Sequence, residues 1–349
     1  MRRQSIVNGR PLALVLCVLA VDCGLSTVDF ARGEPIVLRV GTAAPDGTGW
    51  AREFRAFARY VEAEAKGALR IKLYMNSVAG DEMEMGERVR KGQLDGVASG
   101  HFLCQSVAPS MAVLRLPGVF QSRDEAHDVV TRMQATLVDE AAKNGFVILG
   151  AAGLGPDVFF TRTPVRSLED ARRLKLWRWD LDEVGIAASR DMGLTIVPTR
   201  LGDARRAYDD GKLDGFLAAP SAALAFQWGA VAGYVTDLHS GYLYGCLLFG
   251  ERQFQRLPLE LQSALRAGAA RMLVGVEELG RRQDEQLLGG LFAKPGLKTV
   301  PVSASFRGQY FAAAKATRDR VPERLLPRAL LERVLRMLAD YRIEHPQQR

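Results

Sequence analysis

The sequence predicts an α/β protein with two lobes, followed by a C-terminal part made of long helices. Three observations support this prediction. Strand patterns alternate with amphipathic helix patterns along most of the chain, one helix-stop-strand phrase occurs twice, and the residues after Pro258 are almost wholly helical in pattern. At 349 residues the chain is long enough to form two packed cores.

Hydrophobic periodicity and the residues that end each element define the expected strands and helices. In the first lobe we expect strands at 36–42, 70–74, 97–99 and 147–150 and helices at 51–65 and 82–91. In the second lobe we expect strands at 159–161, 174–179 and 194–197 and helices at 182–192 and 202–210. The C-terminal part adds a short strand at 298–302 and an amphipathic helix at 330–341.

The repeated phrase reads RKGQLDGV at 90–97 and DGKLDGF at 210–216. In both copies a glycine ends a helix, a leucine packs under it, and Asp-Gly turns the chain into a buried strand. Equivalent strands in two lobes favour a ligand site between them, at the carboxyl ends of the strands. We expect residues 34–155 to form the first lobe, 156–250 the second, and 251–349 a helical segment that packs across both.

Composition and motifs exclude several classes of function. Hydrophobic residues make up 48% and charged residues 25%, as in ordinary soluble proteins, and the net charge of +7 is spread along the chain rather than clustered, which disfavours a nucleic-acid partner. Gly-x-Ser-x-Gly is absent, the four histidines lack metal-ligand spacing, and Val158 stands where the run 150–155 would need its third dinucleotide-loop glycine. We therefore expect no catalytic residues, no metal and no cofactor.

The N-terminus predicts export. Arg2 and Arg3 precede an apolar run at 11–21, and the small residues Ala31 and Gly33 fit a cleavage site before Glu34, so residues 1–33 are expected to be a signal peptide and the mature protein to be periplasmic. The apolar run is too short to span a bilayer, and no later segment is long enough either.

Cysteine usage leaves two questions open. A lipid anchor at Cys23 is a weaker alternative to cleavage at 33, because Asp22 stands where a small residue is expected. After cleavage Cys104 and Cys246 remain, either as a disulfide or as two buried thiols. We favour two buried thiols, because nothing in the sequence brings the two Cα atoms within bonding range.

Aromatic residues at strand ends and loop mouths predict a site for an apolar ligand. Trp50 opens the first helix and Phe102 follows a strand. In the strand at 174–179 the period of two puts Trp177 and Trp179 on one face and Arg178 on the other. Large rings at strand ends suit a pocket that shields apolar surface, although either tryptophan alone also fits a buried core.

The order and spacing of several motifs resemble the extracytoplasmic solute receptors of tripartite ATP-independent periplasmic (TRAP) transporters, of the dicarboxylate-receptor type. The resemblance covers nearly the whole mature chain and is carried by YMNSVAG at 74–80, GQLDG at 92–96, LPGVF at 116–120 and LDG at 213–215. It implies a type II, periplasmic-binding-protein-like fold that closes on a small solute and delivers it to membrane permease subunits, without catalysis.

The sequence departs from this family at the residues that bind ligand. Counting from the motifs places Trp177 and Asp157 where the family carries carboxylate-binding arginines, and Ala218 where it carries an asparagine. A largely apolar or neutral ligand follows, because a buried carboxylate without a partner costs several kcal/mol. The ligand-contacting residues that we predict are Trp50, Asn76, His101, Phe102, Phe120, Asp157, Phe159, Trp177, Trp179, Leu201, Ala218 and Pro220.

Three alternatives remain at the sequence level. If the register is shifted by one residue, Arg178 takes the place of the family arginine and the ligand is an organic acid. A bound Ca²⁺ held by Asp157, Asp180, Asp182 and Glu183 is a second way to hold an acid. The third alternative is a periplasmic enzyme that uses Asp157, Asp180 and Asp182 as acid and base.

Overall fold

The computed structural model describes residues 34–288 and 296–346, which form eleven strands and thirteen helices. The strands are β1 Ile36–Thr42, β2 Leu69–Tyr74, β3 Gly96–Ser99, β4 Phe146–Pro156, β5 Val158–Thr161, β6 Lys175–Trp179, β7 Thr195–Thr199, β8 Gly215–Ala218, β9 Tyr234–Thr236, β10 Tyr242–Gly250 and β11 Lys298–Val300. The helices are α1 Gly49–Glu64, α2 Glu82–Arg90, α3 Phe102–Val107, α4 Arg123–Arg132, α5 Gln134–Lys143, α6 Leu168–Arg172, α7 Glu183–Asp191, α8 Ala204–Asp209, α9 Pro220–Ala225, α10 Glu251–Gln255, α11 Leu259–Leu288, α12 Ala304–Arg318 and α13 Arg328–Glu344.

The strands form two sheets, and each sheet is the centre of one lobe. The first sheet has the order β2-β1-β3-β10-β4, and the second has the order β11-β9-β5-β8-β6-β7. In the first, β1 runs parallel to β2 and β3, whereas β10 runs antiparallel to β3 and β4. In the second, β6 runs parallel to β7 and β8, whereas β5 runs antiparallel to β8 and β9. The predicted two-lobed α/β fold is confirmed.

Two neighbouring connections between the lobes form what we call the hinge: Asp157 and residues 237–241. Asp157 alone separates β4 from β5, and residues 237–241 join β9 to β10. The two connections bond to each other, because the Asp157 N–H donates to the Gly241 carbonyl at 2.8 Å and the Ser240 N–H donates to the Asp157 carbonyl at 2.8 Å. Each crossing is therefore held beside the other at the base of the cleft.

The repeated phrase has the same structural role in both lobes. Gly92 and Gly211 have φ values of 71° and 72°, which glycine adopts without strain where a helix ends. Asp95 then accepts a hydrogen bond from the backbone N–H of Arg39 on β1 at 2.8 Å, and Asp214 accepts one from the N–H of Lys175 on β6 at 2.8 Å. The repeated aspartate thus ties each new strand to its parallel neighbour.

The long strand β10 is the main difference from the expected organisation. We expected residues 156–250 to form the second lobe, but β10 lies in the first sheet between β3 and β4. β4 also extends to Pro156, well beyond the expected end at 150. Both strands are largely buried and rich in glycine and apolar residues, so neither shows the alternation that marks a half-buried strand.

The C-terminal helices pack on elements of both lobes. α11 packs against α1 and β4, α12 packs against α6 and α7, and α13 packs against α4. No helix within residues 34–288 and 296–346 is long and apolar enough to cross a membrane. The expected signal peptide, with its cleavage site and Cys23, lies outside the described residues.

Cys104 and Cys246 form a disulfide, which corrects the expectation of two buried thiols. Their Cα atoms are 6.0 Å apart, within the range that a disulfide spans. β10 brings the two cysteines together, because Cys246 lies opposite Ser99 at the end of β3, and Cys104 follows on α3. The disulfide fastens α3 to the central antiparallel strand of the first lobe.

Candidate functional site

A cavity lies between the two lobes, where the carboxyl ends of β1, β3, β6 and β8 face each other. Its empty space, measured out to its open mouth, is about 970 Å³. Most of its wall is apolar. The first lobe and α11 contribute Trp50, Phe54, Phe102, Leu154, Met272 and Val276, and the second lobe contributes Trp177, Trp179, Leu201, Leu217, Phe226 and Trp228.

On the second lobe, four rings form what we call the aromatic wall: Trp177, Phe216, Phe226 and Trp228. The Trp228 ring stacks on Phe216 with centroids 4.7 Å apart and lies 4.7 Å from Trp177 and 5.3 Å from Phe226. The Trp177 indole N–H donates to the Thr199 carbonyl at 3.0 Å. Trp177 and Trp228 are only 4% and 2% exposed, so this wall is both lobe core and cavity surface.

Two contacts between the lobes bridge the cleft beside the cavity. Phe102 on α3 meets Trp179 at the end of β6 edge to face, with centroids 5.0 Å apart. Arg200, after β7, pairs with Asp81 at the start of α2 at 2.9 Å. The structure therefore shows the lobes in contact around the cavity.

At the hinge end of the cavity, four charged residues form what we call the ionic cluster: Arg115, Asp157, Arg178 and Asp182. Arg115 Nη2 lies 2.7 Å from Asp157 Oδ2 and 2.8 Å from Asp182 Oδ2, and Arg178 Nη1 lies 2.6 Å from Asp182 Oδ2. No side chain of the cluster is more than 4% exposed. Arg115 ends a 3-10 turn of the first lobe, Asp157 is in the hinge, and the other two belong to the second lobe.

Local structure explains how these charges come together. Asp182 is the N-cap of α7, and its Oδ1 accepts a hydrogen bond from the Gly185 N–H at 3.0 Å. A Cβ at position 185 would lie 2.6 Å from Arg178 Nη1, so glycine leaves the space that the guanidinium occupies. Asp182 thus stabilises the start of α7, where a negative charge also complements the helix dipole.

The ionic cluster is charge-balanced, and its neighbours favour the charged forms of Arg115 and Asp182. Burial alone would raise the pKa of Asp182, but the guanidinium groups of Arg115 and Arg178 outweigh it and hold that pKa well below its usual range. Burial alone would lower the pKa of Arg115, but Asp157 and Asp182 outweigh it and raise that pKa. Two positive and two negative charges thus neutralise each other.

A buried carboxylate, Glu82, organises the turn between β3 and α3. It accepts hydrogen bonds from the Ser99 hydroxyl at 2.5 Å and from the backbone N–H groups of Phe102 and Leu103 at 2.8 and 3.0 Å. These bonds use the free N–H groups at the start of α3 and so fix the position of the Phe102 ring. Glu82 lines the cavity as a negative charge that is already fully engaged with the protein.

Seven of the twelve predicted ligand-contacting residues line the cavity. Asp157, Trp177 and Ala218, the positions where the sequence departs from the family pattern, are all among them. The seven are Trp50, Phe102, Asp157, Trp177, Trp179, Leu201 and Ala218.

The other five predicted residues do not line it. Asn76 is exposed with φ 58°, and its Oδ1 accepts a hydrogen bond from the Asp46 N–H at 2.8 Å, which joins two loops. Phe120 packs in the first-lobe core against Tyr242, and Phe159 packs in the second-lobe core against Tyr310. Pro220 is the first residue of α9 and is buried there.

His101, the last of these five, is fully buried behind the cavity wall. Its Nδ1 lies 3.0 Å from the Tyr244 carbonyl and its Nε2 lies 3.2 Å from Gln105 Oε1. Burial and the charge of Arg115 lower the pKa of His101 to about 4, so the ring is neutral at neutral pH. Strand-end position alone could not distinguish this packed ring from a cavity residue.

The structure corrects the expectation that Arg178 points away from the ligand site. Arg178 leaves β6 on the face opposite Trp177, as the period of two requires, yet both residues line the cavity because they lie near the end of the strand. Sequence reasoning also missed Arg115. A single arginine within the apolar run 111–120 was the available signal, because a charge in such a run needs a buried partner.

The carboxylates that the metal and enzyme alternatives would use do not form one free group, because some are paired with arginines and one is exposed away from them. Asp157 and Asp182 are bound to arginines, whereas Asp180 is exposed at the end of β6. Within the part of the chain that the structure describes, no group of three or more histidine, cysteine, aspartate or glutamate residues could hold a metal ion.

Comparison with known proteins gives consistent matches along the chain. A solute-binding protein of Albidiferax ferrireducens is 23% identical over 289 residues, which are 80% of this chain and 85% of that protein. A solute-binding protein of Chromohalobacter salexigens is 24% identical over 220 residues, which are 62% of this chain and 65% of that protein, just under two thirds of its length.

Solved structures share the fold. The sugar acid binding protein of Advenella mimigardefordensis, in complex with galactonate, superimposes with a TM-score of 0.81 at 18% identity, over 88% of this chain and 99% of that one. A TRAP periplasmic solute-binding protein of Haemophilus influenzae with bound L-gulonate gives a TM-score of 0.79 at 18% identity, over 87% and 99%.

A family profile supplies the assignment. The profile of the family described as bacterial extracellular solute-binding protein, family 7, matches residues 40–323, which is most of the chain and includes both sheets and the cavity between them. The chain therefore belongs to family 7 of the bacterial extracellular solute-binding proteins.

Proposed function

We propose that this protein is the periplasmic receptor of a TRAP transporter and that it captures a largely apolar, uncharged solute between its lobes for delivery to the membrane permease. Family membership and the two-lobed fold support the role of receptor. The predicted signal peptide supports the periplasmic location. The nature of the cavity wall supports the choice of solute.

The observation that carries this choice is the charge of the wall. The charged residues that line the cavity in the described chain are Arg115, Arg178, Glu82, Asp157 and Asp182, which leave one negative charge in excess. Both arginines are already paired with aspartates. A carboxylate entering here would meet no free positive charge, and its burial would cost several kcal/mol. An uncharged solute avoids that cost.

The known ligands of structural relatives sharpen the contrast. Galactonate and L-gulonate, bound by the proteins from Advenella and Haemophilus, carry a carboxylate and many hydroxyl groups. Here the rings of Trp177, Phe226 and Trp228 and the apolar residues of α11 line the cavity and offer few polar partners. Large apolar side chains favour a ligand that buries apolar surface against them.

Mass spectrometry of the solute that copurifies with the periplasmic protein tests this proposal. We expect gentle extraction to release one molecule of low polarity and no net charge at neutral pH. The matched control is protein stripped by unfolding and refolding, which should release nothing. Recovery of a sugar acid or a dicarboxylate in amounts equal to the protein would contradict the proposed solute and leave the role of receptor intact.

A further inference from the structure

Two residues that line the cavity carry buried hydrogen-bond donors with no partner within the described chain. The indole Nε1 of Trp50 is one, and the Nε and Nη2 of Arg178 form the other. Trp50 is 8% exposed and Arg178 is 1% exposed, and both line the cavity. An unpaired buried donor costs free energy comparable to a lost hydrogen bond. A hydrogen-bond acceptor supplied by a bound molecule would remove that cost.

The two donors sit on opposite lobes. Trp50 lies in the first turn of α1, and Arg178 lies on β6. Only one of the guanidinium nitrogens of Arg178, Nη1, is used in the ionic cluster, where it faces Asp182 and Asp157. The remaining edge, Nε with Nη2, has the two-pronged geometry that receives an oxygen acceptor.

We propose that the solute carries uncharged hydrogen-bond acceptors on its apolar body, as ketones, esters, amides or ethers do, and that Arg178 and Trp50 are the residues that select them. This inference rests on the proposed function and specifies its ligand class. Among the buried unpartnered polar atoms of the described chain, those on residues that line the cavity are all donors. The polar groups of the ligand must therefore accept.

Charge decides between an uncharged acceptor and a carboxylate. The free edge of Arg178 would receive either one, but the positive charge behind that edge is already balanced by Asp182 and Asp157. A carboxylate would add a second uncompensated negative charge to the one that Glu82 already gives the wall. A carbonyl or ether oxygen uses the donors without adding charge.

A ligand that reaches both donors also contacts both lobes. It then binds the form with the lobes together more tightly than any open form, because only the closed form brings Trp50 and Arg178 to one molecule. Acceptor recognition and closure of the cleft are thereby coupled. A hydrocarbon of the same size would fill the cavity but would lose both hydrogen bonds.

Three probes of nearly equal shape test this inference: acetylnaphthalene, ethylnaphthalene and naphthoate. The readout is an NMR titration of the four tryptophan indole N–H resonances of the ligand-stripped protein. We expect acetylnaphthalene to bind roughly three- to tenfold more tightly than ethylnaphthalene, the scale of one or two hydrogen bonds, and naphthoate to bind most weakly. The Trp50 indole N–H resonance should shift downfield with acetylnaphthalene, as a new hydrogen bond requires, and should lack that downfield shift with ethylnaphthalene.

Three variants identify the residues responsible. Trp50→Phe keeps the ring and removes the donor, and Arg178→Lys keeps the charge and removes the two-pronged edge, so each should shrink the preference for acetylnaphthalene over ethylnaphthalene. Trp179→Phe is the matched control, because it removes an indole from the same cavity that is not among the unpartnered donors, and the preference should persist.

The outcomes separate this inference from the proposed function. Ethylnaphthalene binding as tightly as acetylnaphthalene would overturn the inference and leave an apolar receptor standing. Naphthoate binding most tightly would overturn both and make Arg178 a carboxylate clamp. Failure of all three probes to shift any indole resonance would also count against both, because the cavity would then not accept apolar solutes.

Discussion

The ionic cluster and the aromatic wall border the same cavity but differ in whether their side chains are already engaged by the protein. In the cluster, the charges of Arg115 and Arg178 are paired with those of Asp157 and Asp182. In the wall, the Trp177 and Trp228 rings pack against each other within the lobe, and both also line the cavity. Charges beside a ligand site can therefore stabilise the folded protein alone, whereas aromatic rings can stabilise the fold and also contact the ligand.

The largest expected effect comes from unbalancing the ionic cluster. Asp182→Asn keeps the side-chain oxygen that caps α7 but leaves Arg115 and Arg178 with one carboxylate between them. We expect it to lower the free energy of unfolding by about 3 to 5 kcal/mol, as when one partner of a buried ion pair is removed. Urea unfolding measures the change.

Asp180→Asn is the control for that prediction. Asp180 is exposed and lies two residues before Asp182, so its loss should change the free energy of unfolding by less than about 0.5 kcal/mol. Equal effects of the two substitutions would show that the charge balance of the ionic cluster does not stabilise the fold.

The second expected effect is a pH dependence that originates at His101, behind the wall. The unfolded chain has a histidine pKa near 6.5, whereas the folded protein lowers the pKa of His101 to about 4. Between these values the unfolded state binds more protons, so stability present above about pH 6.5 is lost as the pH falls. From about pH 8 to about pH 5 we expect a loss of about 2 kcal/mol from this residue.

Asp284 changes stability with pH in the direction opposite to His101, so the two contributions have to be measured separately. Burial raises the pKa of Asp284 to about 6 despite the pull of Arg123, so its protonation favours the folded state over the same range. Urea unfolding of His101→Gln beside the unsubstituted protein isolates the histidine, because Asp284 is present in both. The two stability curves should converge as the pH falls. Parallel curves would rule out a neutral buried histidine as the cause.

A smaller effect is expected from the ring at the mouth of the cavity. Trp179 is more exposed than Trp177 and contacts Phe102 across the cleft, outside the aromatic wall. Trp179→Leu should weaken binding of acetylnaphthalene by about 1 to 2 kcal/mol with little change in unfolding. Trp177→Leu should instead lower both affinity and stability, because that ring also packs against Phe216 and Trp228. A stability loss in the Trp179 variant as large as that of Trp177 would erase this distinction.

The smallest effect concerns the exposed pair between Arg200 and Asp81. Surface ion pairs contribute little and are screened by salt. Arg200→Gln should lower the affinity for acetylnaphthalene by less than about twofold at low salt and have no effect at high salt. Titrations at two salt concentrations measure it, with Arg205→Gln on α8 as the control for loss of an exposed arginine. A tenfold loss of affinity would show that this ion pair, rather than contacts in the cavity, contributes most to keeping the cleft closed.

Local signals were sufficient to predict much of the fold. Alternation, glycine stops and the repeated Asp-Gly phrase predicted two lobes, and the strand at 36–42 matches β1 in full. β10 was not predicted because a strand buried on both faces shows no alternation, and the disulfide was missed along with it. The pairing of distant strands is set by the whole core rather than by any local pattern.

The candidate site was predicted in part for a related reason. Positions counted from motifs, such as Trp177 and Ala218, reach the cavity because strand ends fix where residues lie. His101 and Asn76 also lie at strand ends, but their hydrogen bonds to Tyr244 and Asp46 direct them elsewhere. The ionic cluster could not be predicted from sequence, because Arg115 and Asp182 are 67 residues apart in the chain and meet only through the packing of the two lobes.

The measurement that tests the central claim most directly is calorimetry of the copurified solute as it is returned to the stripped protein at several temperatures. An uncharged, largely apolar solute that buries its surface between the aromatic wall and α11 should bind with a clearly negative heat-capacity change and with little dependence on salt. A heat-capacity change near zero, together with an affinity that falls steeply as salt is added, would show that the cavity binds a charged solute and would contradict this account.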